Sequence, residues 1–200
     1  MHLIFIRHPV STYNDGGNRY CGRTDAPLSE EGLRQVDRLV QHFATEPVDA
    51  VWSSPLRRAL VCAERIAAVQ GHTVRVNEAF TEFDFGEWEG MRPPQIAEAY
   101  PEAWHKWNAG HPFCGAPGGE RAVDVYYRAV RGLEEVVAAG GEKAVVVCHD
   151  QIIRMLFTFF LNLPYHRWRQ LGQPKNASLC RVRMSGGGEA WHMVAYSQEV

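Results

Sequence analysis

The sequence predicts an α/β sandwich built on a largely parallel sheet. Short apolar runs alternate along the chain with longer stretches of helical periodicity, which is the order typical of parallel strands joined by helices. The chain has 200 residues, 46% of them hydrophobic, and can therefore bury the core of a single domain. We predict one domain over residues 1–200, in which the segment 91–119, rich in Pro, Gly, His and Trp, is an insertion over the strand ends.

Four apolar runs predict strands of the sheet. They cover residues 2–6, 49–53, 73–76 and 143–148, and the last is the strongest because it is rich in β-branched residues and follows a pair of glycines. Two further runs, 179–184 and 191–196, predict a terminal hairpin around Gly186-Gly187-Gly188.

Four segments between these strands have the apolar spacing of helices. Ser29 suits the N-cap of the first, Pro55 suits the first turn of the second, and Gly140-Gly141 ends the third. The fourth, Ile152 to Leu161, is apolar almost all round and predicts a buried helix. The predicted apolar faces of the first three helices are Leu33, Val36, Val40 and Phe43; Leu56, Ala59, Ala63 and Ile66; and Val123, Tyr126, Val130, Leu133 and Val137.

The composition excludes several classes of function. Lys and Arg total 21 and Asp and Glu total 23, so the chain lacks the positive surplus of a nucleic-acid-binding protein. The five cysteines form no CxxC pair, which argues against a disulfide framework and a zinc site. No signal peptide is evident, and no apolar run approaches the roughly 20 residues that span a bilayer. We expect a cytoplasmic protein without a nucleic-acid or membrane partner, metal or cofactor.

Reactive side chains follow the predicted strands. Arg7-His8 comes directly after the first strand, and His149 comes directly after the run 143–148. Ligands of open α/β sheets bind outside the carboxyl ends of the strands, so the two histidines face each other if their strands are neighbours. The strand at 49–53 leads into a helix start that carries Arg58, and the strand at 73–76 leads to the carboxylate-rich segment 82–90.

This set of groups suits phosphoryl transfer without a metal. Arginines neutralise phosphate oxygens and the charge that develops on them. A neutral imidazole is a nucleophile, and a carboxylic acid protonates the leaving oxygen. The expected partner is a small phosphorylated metabolite.

The order of the short motifs resembles the histidine phosphatase superfamily, the phosphoglycerate-mutase-like proteins, from residue 2 to about 180. These motifs are Arg7-His8, Asn14, Gly22-Arg-Thr-Asp25 with Pro27-Leu28-Ser29, Ser53-Ser-Pro-Leu-Arg-Arg58-Ala, Glu82 with Phe85-Gly86 and Trp88-Glu89-Gly90, Pro117-Gly-Gly-Glu120, and His149. The resemblance implies a three-layer α/β/α sandwich with a mostly parallel sheet, in which the two strands that carry the histidines are adjacent.

The resemblance also implies roles for individual residues. His8 is expected to be the nucleophile that becomes phosphohistidine, and Glu82 the proton donor to the leaving group and then the base for water. Arg7, Arg58 and His149 are expected to hold the phosphoryl group, and Asn14 to add a polar contact.

The length points to the compact phosphatase branch, because the mutases of the family are typically longer. Residues 20–28, together with Arg7-His8-Pro9, are similar to α-ribazole phosphatases, which makes α-ribazole 5′-phosphate a candidate substrate. A cofactor-dependent phosphoglycerate mutase and a non-catalytic phosphate-binding module on the same fold are the alternatives.

Two positions depart from the family pattern. Pro9 stands where the family usually has Gly, so a backbone donor is lost there. Asp150 stands where a small or neutral residue is usual, and its carboxylate repels a phosphate unless it points away or pairs with Arg. We expect Asp150 to be the N-cap of the helix that begins at Gln151.

Several residues keep two interpretations. Asp84, Glu87 and Glu89 compete with Glu82 for the role of the acid, and Arg23 contacts either the substrate or Asp25. Cys148 is expected to be an inert buried thiol, and Arg57 a surface residue. Trp104, Trp107, His105 and His111 either line the pocket or pack an irregular loop. The aromatic residues of 100–113 and 165–168 look exposed and are compatible with a homodimer.

Overall fold

A six-stranded sheet forms the centre of the protein in a computed structural model that describes residues 1–15, 17, 19–185 and 190–200. The strand order is β3-β2-β4-β1-β5-β6. The strands are β1 His2–Arg7, β2 Ala50–Ser53, β3 Val74–Val76, β4 Lys143–Cys148, β5 Leu179–Met184 and β6 Trp191–Gln198. The first four are parallel to one another, and β5 and β6 add an antiparallel edge, so the predicted mostly parallel sheet is confirmed.

The helices between these strands complete the architecture. They are α1 Thr12–Asp15, α2 Glu30–Phe43, α3 Arg57–Gln70, α4 Pro93–Ala99, α5 Pro101–Asn108, α6 Ala122–Ala138 and α7 Asp150–Phe160, with 3-10 helices at Glu78–Phe80, Gly86–Trp88 and Tyr165–Gln170. None of the helices in the described ranges is long and apolar enough to cross a membrane.

The sheet separates two apolar layers because successive strand residues point to opposite faces. Ile4, Ile6 and Val147 pack on one face with residues of α2 and α3. Phe5 and Val146 pack on the other face with residues of α6 and α7. The fold is therefore the three-layer α/β/α sandwich that the resemblance implies.

Strand β1 lies beside β4 in parallel register, with Arg7 opposite Cys148. The two following residues are His8 and His149, so the register brings both histidines to one edge of the sheet. The backbone N–H of His8 donates to the Cys148 carbonyl at 2.9 Å, which extends the ladder to that edge. The expectation that the histidine-bearing strands are neighbours is confirmed.

The start of α2 agrees with the sequence prediction, and the start of α3 does not. Ser29 is the N-cap of α2, and its hydroxyl accepts from the Gly32 N–H at 3.1 Å, as expected. Pro55, in contrast, precedes α3 by two residues. The helix begins at Arg57, whose backbone N–H is held by the Asp25 carboxylate at 2.8 Å.

Two predicted apolar faces are rotated by about one residue. Leu33 is 46% exposed on α2, while Leu39 is buried in its place. On α6 the fully buried side runs through Ala122, Val125, Ala129, Leu133 and Val136. The small residue Gly132 explains this second rotation, because a Cβ there would collide with Ala79.

The segment 91–119 contains α4 and α5, which its composition did not predict. Trp107 and Trp168 are fully buried in the core, so the prediction that these two aromatic residues are exposed was wrong. Phe113 is 62% exposed. Strands β5 and β6 pair as the predicted hairpin, while the turn predicted at Gly186-Gly187-Gly188 lies outside the described residues.

Candidate active site

His8 and His149 lie with their ring centroids 5.2 Å apart at the carboxyl ends of β1 and β4. His8 Nδ1 is 2.7 Å from the backbone oxygen of Pro9. Because a carbonyl only accepts, this contact assigns the proton to Nδ1 and leaves the Nε2 lone pair free. The missing N–H of Pro9 does not affect this contact, since it is the proline carbonyl that orients the ring.

Two arginines lie close enough to His8 for their charges to act on its imidazole. Arg58 is fully buried, and its guanidinium donates to the backbone oxygens of Cys21, Gly22 and Thr24 at 3.2, 2.8 and 2.8 Å. Arg7 donates to the carbonyl of Pro174 at 2.7 Å. Burial first, and then the charges of Arg58 and Arg7, lower the pKa of His8 well below its usual value. The His8 imidazole is therefore neutral at physiological pH.

His149 is completely buried next to this group. Its Nε2 lies 2.8 Å from the hydroxyl of Ser54, and burial together with the charge of Arg58 lowers its pKa well below the usual value. His149 Nδ1 and the Nε atoms of Arg7 and Arg58 are buried and have no hydrogen-bond partner among the described residues. Unpartnered buried polar atoms are rare, and the Nε–H groups of Arg7 and Arg58 are donors of the kind that an oxyanion accepts from.

Glu82 is the carboxyl group of this site. Its side chain lines the same cavity as His8 and accepts from the backbone N–H groups of Phe83 at 2.9 Å and Gln151 at 3.4 Å. Burial, and secondly the negative charge of Asp150, raise the pKa of Glu82 to about 7. A carboxyl group with this pKa is protonated in a large fraction of molecules at neutral pH and can act as an acid.

The other carboxylates of the segment 82–90 have structural contacts. Asp84 accepts from the Gly86 N–H at 2.9 Å, and Glu87 interacts with the Tyr100 hydroxyl. Glu89 accepts from the N–H groups of Gly22 and Arg23 and from the Thr24 hydroxyl, which holds the loop whose carbonyls bind Arg58. Of the four candidates for the acid, Glu82 lines the cavity.

Two residues predicted to bind the substrate have different surroundings. Asn14 lines the cavity, and its side-chain oxygen accepts from the backbone N–H and the hydroxyl of Ser11. The guanidinium of Arg23 lies 3.4 Å from Glu120 instead of pairing with Asp25, and its side chain is 41% exposed. Contact between Arg23 and the substrate stays a prediction.

Asp150 is the first residue of α7 and not its N-cap, which corrects the sequence prediction. His149 occupies the N-cap position and has extended backbone angles. The Asp150 Oδ2 atom accepts from the side-chain amides of Gln151 at 2.7 Å and Gln173 at 3.1 Å, and lies 3.6 Å from Arg154 Nη1. The pairing with Arg154 compensates the negative charge that Asp150 brings to the cavity wall.

The cavity beside His8 has a volume of about 280 Å³. Trp104 lines it, whereas Trp107 belongs to the core, and His105 and His111 lie on exposed positions outside its wall.

Cys148 is fully buried, and burial raises the pKa of its thiol well above the usual value, as expected for an inert residue. Arg57 is exposed, as predicted.

Sequence reasoning missed four residues of the site and its support: Arg128, Gln151, Arg154 and Arg169. Arg154 had a usable signal, because a charge inside the apolar run 152–161 needs a buried partner. Arg169 had none, since it follows the last predicted helix in an irregular segment. Arg128 reaches the site from α6 through the loop before Glu82, a contact that depends on tertiary packing.

A second cavity of about 450 Å³ lies at the opposite, amino end of the parallel strands. Its lining includes Glu46, which pairs with Arg181 at 2.7 Å and with Lys143 at 3.1 Å. These charges compensate one another within the wall, and neither His8 nor Glu82 is near. The chemistry therefore belongs to the smaller cavity.

The chain is similar to known phosphatases in sequence and in structure. Phosphoserine phosphatase 1 of Hydrogenobacter thermophilus is 33% identical over 183 residues, which are 91% of this chain and 86% of the relative. The structure of a mycobacterial glucosyl-3-phosphoglycerate phosphatase with VO3 has a TM-score of 0.90 at 29% identity and covers 99% of both chains. The α-ribazole phosphatase of Shigella flexneri shares the fold, with a TM-score of 0.87 at 18% identity over 99% of this chain and 96% of that one.

The family model of the histidine phosphatase superfamily (branch 1) matches residues 3–197, nearly the whole chain. That range contains both histidines, both arginines and Glu82. The chain belongs to branch 1 of the histidine phosphatase superfamily.

Proposed function

We propose that this protein hydrolyses small phosphomonoesters through a phosphohistidine formed on His8, without a metal. The observation that carries the proposal is a neutral imidazole, His8, within reach of the charges of Arg7 and Arg58, with the raised-pKa carboxyl group of Glu82 in the same cavity as His8. His149 adds a second buried imidazole, whose ring centroid lies 5.2 Å from that of His8.

In the first step, His8 Nε2 attacks the phosphorus atom in line with the leaving oxygen. The bond from phosphorus to that oxygen breaks, and Glu82 gives its proton to the departing alcohol. Arg7, Arg58 and His149 surround the phosphoryl oxygens and stabilise the charge of the transition state.

In the second step, a water molecule attacks the phosphorus atom of the phosphohistidine. Glu82, now a carboxylate, takes the proton of that water, and the nitrogen–phosphorus bond breaks with its electron pair returning to His8 Nε2. Phosphate leaves, and both residues regain their starting protonation states.

The physiological substrate is a small phosphorylated metabolite in this proposal. The names of the relatives point to phosphoserine and glucosyl-3-phosphoglycerate, and the residue 20–28 motif points to α-ribazole 5′-phosphate. A cavity of about 280 Å³ suits a small leaving group. These three esters belong in one panel of substrates. The cytoplasmic location also belongs to this proposal, since such metabolites are made there.

The test is hydrolysis of 4-nitrophenyl phosphate in the presence of excess chelator. We expect turnover by the native protein and its loss in His8→Ala, while His192→Ala, which removes an exposed histidine of β6, keeps the native rate. An alkaline quench during turnover of a ³²P-labelled substrate is expected to leave label on His8. Absence of native turnover, or native turnover in His8→Ala, contradicts the scheme.

The two alternatives give different results. A phosphoglycerate mutase isomerises 3-phosphoglycerate faster than it releases phosphate, whereas we expect release without isomerisation. A phosphate-binding module binds phosphate but forms no labelled His8.

The homodimer stays a prediction. Exposed Phe113 is a remaining apolar residue of the segment that suggested it, and the molar mass in solution tests it.

A further inference from the structure

We propose that the outer part of the active-site cavity is a subsite for a phosphorylated amino acid, in which Arg154 and Arg169 bind the carboxylate of the leaving group and Asp150 binds its ammonium group. This inference rests on the proposed function, because the leaving group must extend from a phosphate held at His8. All three residues line the cavity that also contains His8 and Glu82.

The two arginines form a positive surface that is only partly compensated. Arg154 is 6% exposed, and its Nε donates to the Trp168 carbonyl at 3.1 Å. The Arg169 guanidinium lies over the Trp107 ring, with its Cζ atom 5.2 Å from the ring centroid, and donates to the Asn108 side-chain oxygen at 2.9 Å. These contacts fix both guanidinium groups in place without neutralising them.

The charges of the subsite favour an added anion. Burial lowers the pKa of Arg169, and the positive charge of Arg154 adds to this lowering, so the two cations are close enough to repel each other. Asp150 pairs with Arg154 at 3.6 Å and supplies one negative charge against two positive charges. A planar carboxylate matches the fork geometry of guanidinium groups and removes the remaining repulsion.

Asp150 provides the second half of the recognition. Its three contacts, from Gln151, Gln173 and Arg154, all fall on Oδ2. Oδ1 is buried and has no hydrogen-bond partner among the described residues, although a buried carboxylate oxygen normally accepts at least one hydrogen bond. A cationic donor next to the bound carboxylate satisfies that oxygen.

A small amino acid esterified with phosphate carries both groups on one short chain. Its carboxylate and ammonium are attached to the same carbon, so they can reach neighbouring residues of one cavity wall while the phosphate reaches His8. A hydroxy acid has the carboxylate but offers Asp150 only a neutral donor, and an amino alcohol has the ammonium but no carboxylate.

The first experiment compares kcat/KM for four esters with the native protein. O-phosphoserine carries both groups, 3-phosphoglycerate replaces the ammonium with a hydroxyl, phosphoethanolamine lacks the carboxylate, and 4-nitrophenyl phosphate lacks both. We expect phosphoserine to exceed 3-phosphoglycerate and phosphoethanolamine by about tenfold or more each, as charge-assisted hydrogen bonds allow.

Each contrary result has a distinct meaning. Equal values for phosphoserine and 3-phosphoglycerate overturn the role of Asp150. Equal values for phosphoserine and phosphoethanolamine overturn the role of the arginines. Turnover of 4-nitrophenyl phosphate alone overturns the subsite while the proposed function stands, and turnover of none of the four overturns the proposed function itself.

Variants assign the selectivity to the residues. Arg169→Gln is expected to lower the ratio of phosphoserine to phosphoethanolamine about tenfold, and Asp150→Asn to lower the ratio of phosphoserine to 3-phosphoglycerate similarly. Arg167→Gln is the matched control, because Arg167 lies exposed on the same 3-10 helix and outside the cavity wall. Ratios measured within one variant cancel changes in the chemical step.

The arginine assignment has a second test that does not depend on Arg169→Gln folding. Arg169→Lys keeps a positive charge but loses the planar fork, so its ratio is expected to lie between those of the native protein and Arg169→Gln. A native ratio in both Arg169 variants, or a changed ratio in Arg167→Gln, overturns the subsite.

Discussion

Arg128 Nη2 donates to the backbone oxygen of Glu82 at 3.1 Å, although the two residues are 46 positions apart in the sequence. The Nη1 atom of the same guanidinium donates to the carbonyls of Ala79 and Thr81, and Glu120 neutralises its charge at 2.8 Å. One side chain of α6 thus holds the backbone from Ala79 to Glu82. Arg128 is a positioning residue for the acid.

Replacement of Arg128 is expected to reduce kcat more than it changes KM. Arg128→Gln leaves three carbonyls without this donor and removes the ion pair with Glu120, which we expect to destabilise the fold by about 3 kcal/mol. Kinetics and thermal unfolding measure the two effects, with Arg131→Gln on the exposed side of α6 as the control. Arg128→Lys is expected to recover part of kcat. A merely structural Arg128 would give a native kcat per folded molecule.

The pH dependence of kcat/KM for an alkyl phosphate follows from two groups. Glu82 must be protonated, and its pKa of about 7 predicts a tenfold fall per pH unit above that value. His8 must be neutral, and since its pKa is lowered, its acid limb lies well below pH 6.5. Asp150→Asn removes a charge that raises the pKa of Glu82, so the alkaline limb is expected to move to lower pH. A value of kcat/KM that stays unchanged up to pH 9 would contradict the assignment of Glu82 as the acid.

The leaving group decides how much Glu82 matters. In Glu82→Gln no proton is available, so an alkyl phosphate, whose alkoxide is a poor leaving group, is expected to lose at least about 100-fold in rate. 4-Nitrophenyl phosphate releases a stable phenolate and is expected to lose less in its first step. A pre-steady-state burst of nitrophenol in Glu82→Gln, measured against the native protein, checks this. Equal losses for both esters would exclude Glu82 as the acid.

The free energy of unfolding also depends on Glu82. Its pKa is about 7 in the folded protein against an ordinary value of 4.5, so the folded state binds more protons between these pH values. Stability therefore falls as pH rises from about 4.5 to 7, by up to ~3 kcal/mol, and stays constant above. Glu82→Gln lacks this titratable group. Its free energy of unfolding is therefore expected to exceed that of the native protein by this amount at pH 8 but not at pH 4.5. Denaturant titrations at both pH values measure it.

The elements that the sequence predicted best are those with local signals. The strand 143–148 is a β-branched run that follows a pair of glycines, and the Ser29 cap is a contact over three residues, so both depend on neighbours in the chain. The His8–His149 pairing was reachable by adding one topological rule, the carboxyl-edge rule for parallel strands. Its geometry required only that β1 and β4 be adjacent.

The features that sequence reasoning missed depend on contacts between distant segments. Asp150 is a good N-cap by residue type, but His149 takes the extended backbone conformation of the cap, which leaves the Asp150 side chain to the cavity wall. The apolar face of α6 is rotated because Gly132 lets the Glu78–Phe80 turn approach. Neither the approach of that turn nor the position of Arg169 has a local cause that a sequence pattern records.

The loop that supports Arg58 gives a prediction about a single methyl group. The Gly22 N–H donates to Glu89 at 2.9 Å, and the Gly22 carbonyl accepts from Arg58 at 2.8 Å. A Cβ at this position would collide with the Phe83 carbonyl and the Glu89 carboxylate, neither of which can move without disturbing Glu82 or the loop. Gly22→Ala is therefore expected to cost about 1–3 kcal/mol of stability and to weaken phosphate binding through the displaced guanidinium. Gly172→Ala, whose added methyl group meets no atom within 4 Å among the described residues, is the control. Thermal unfolding and the inhibition constant of inorganic phosphate measure both effects, and native phosphate affinity in Gly22→Ala would show that this loop does not set the position of Arg58.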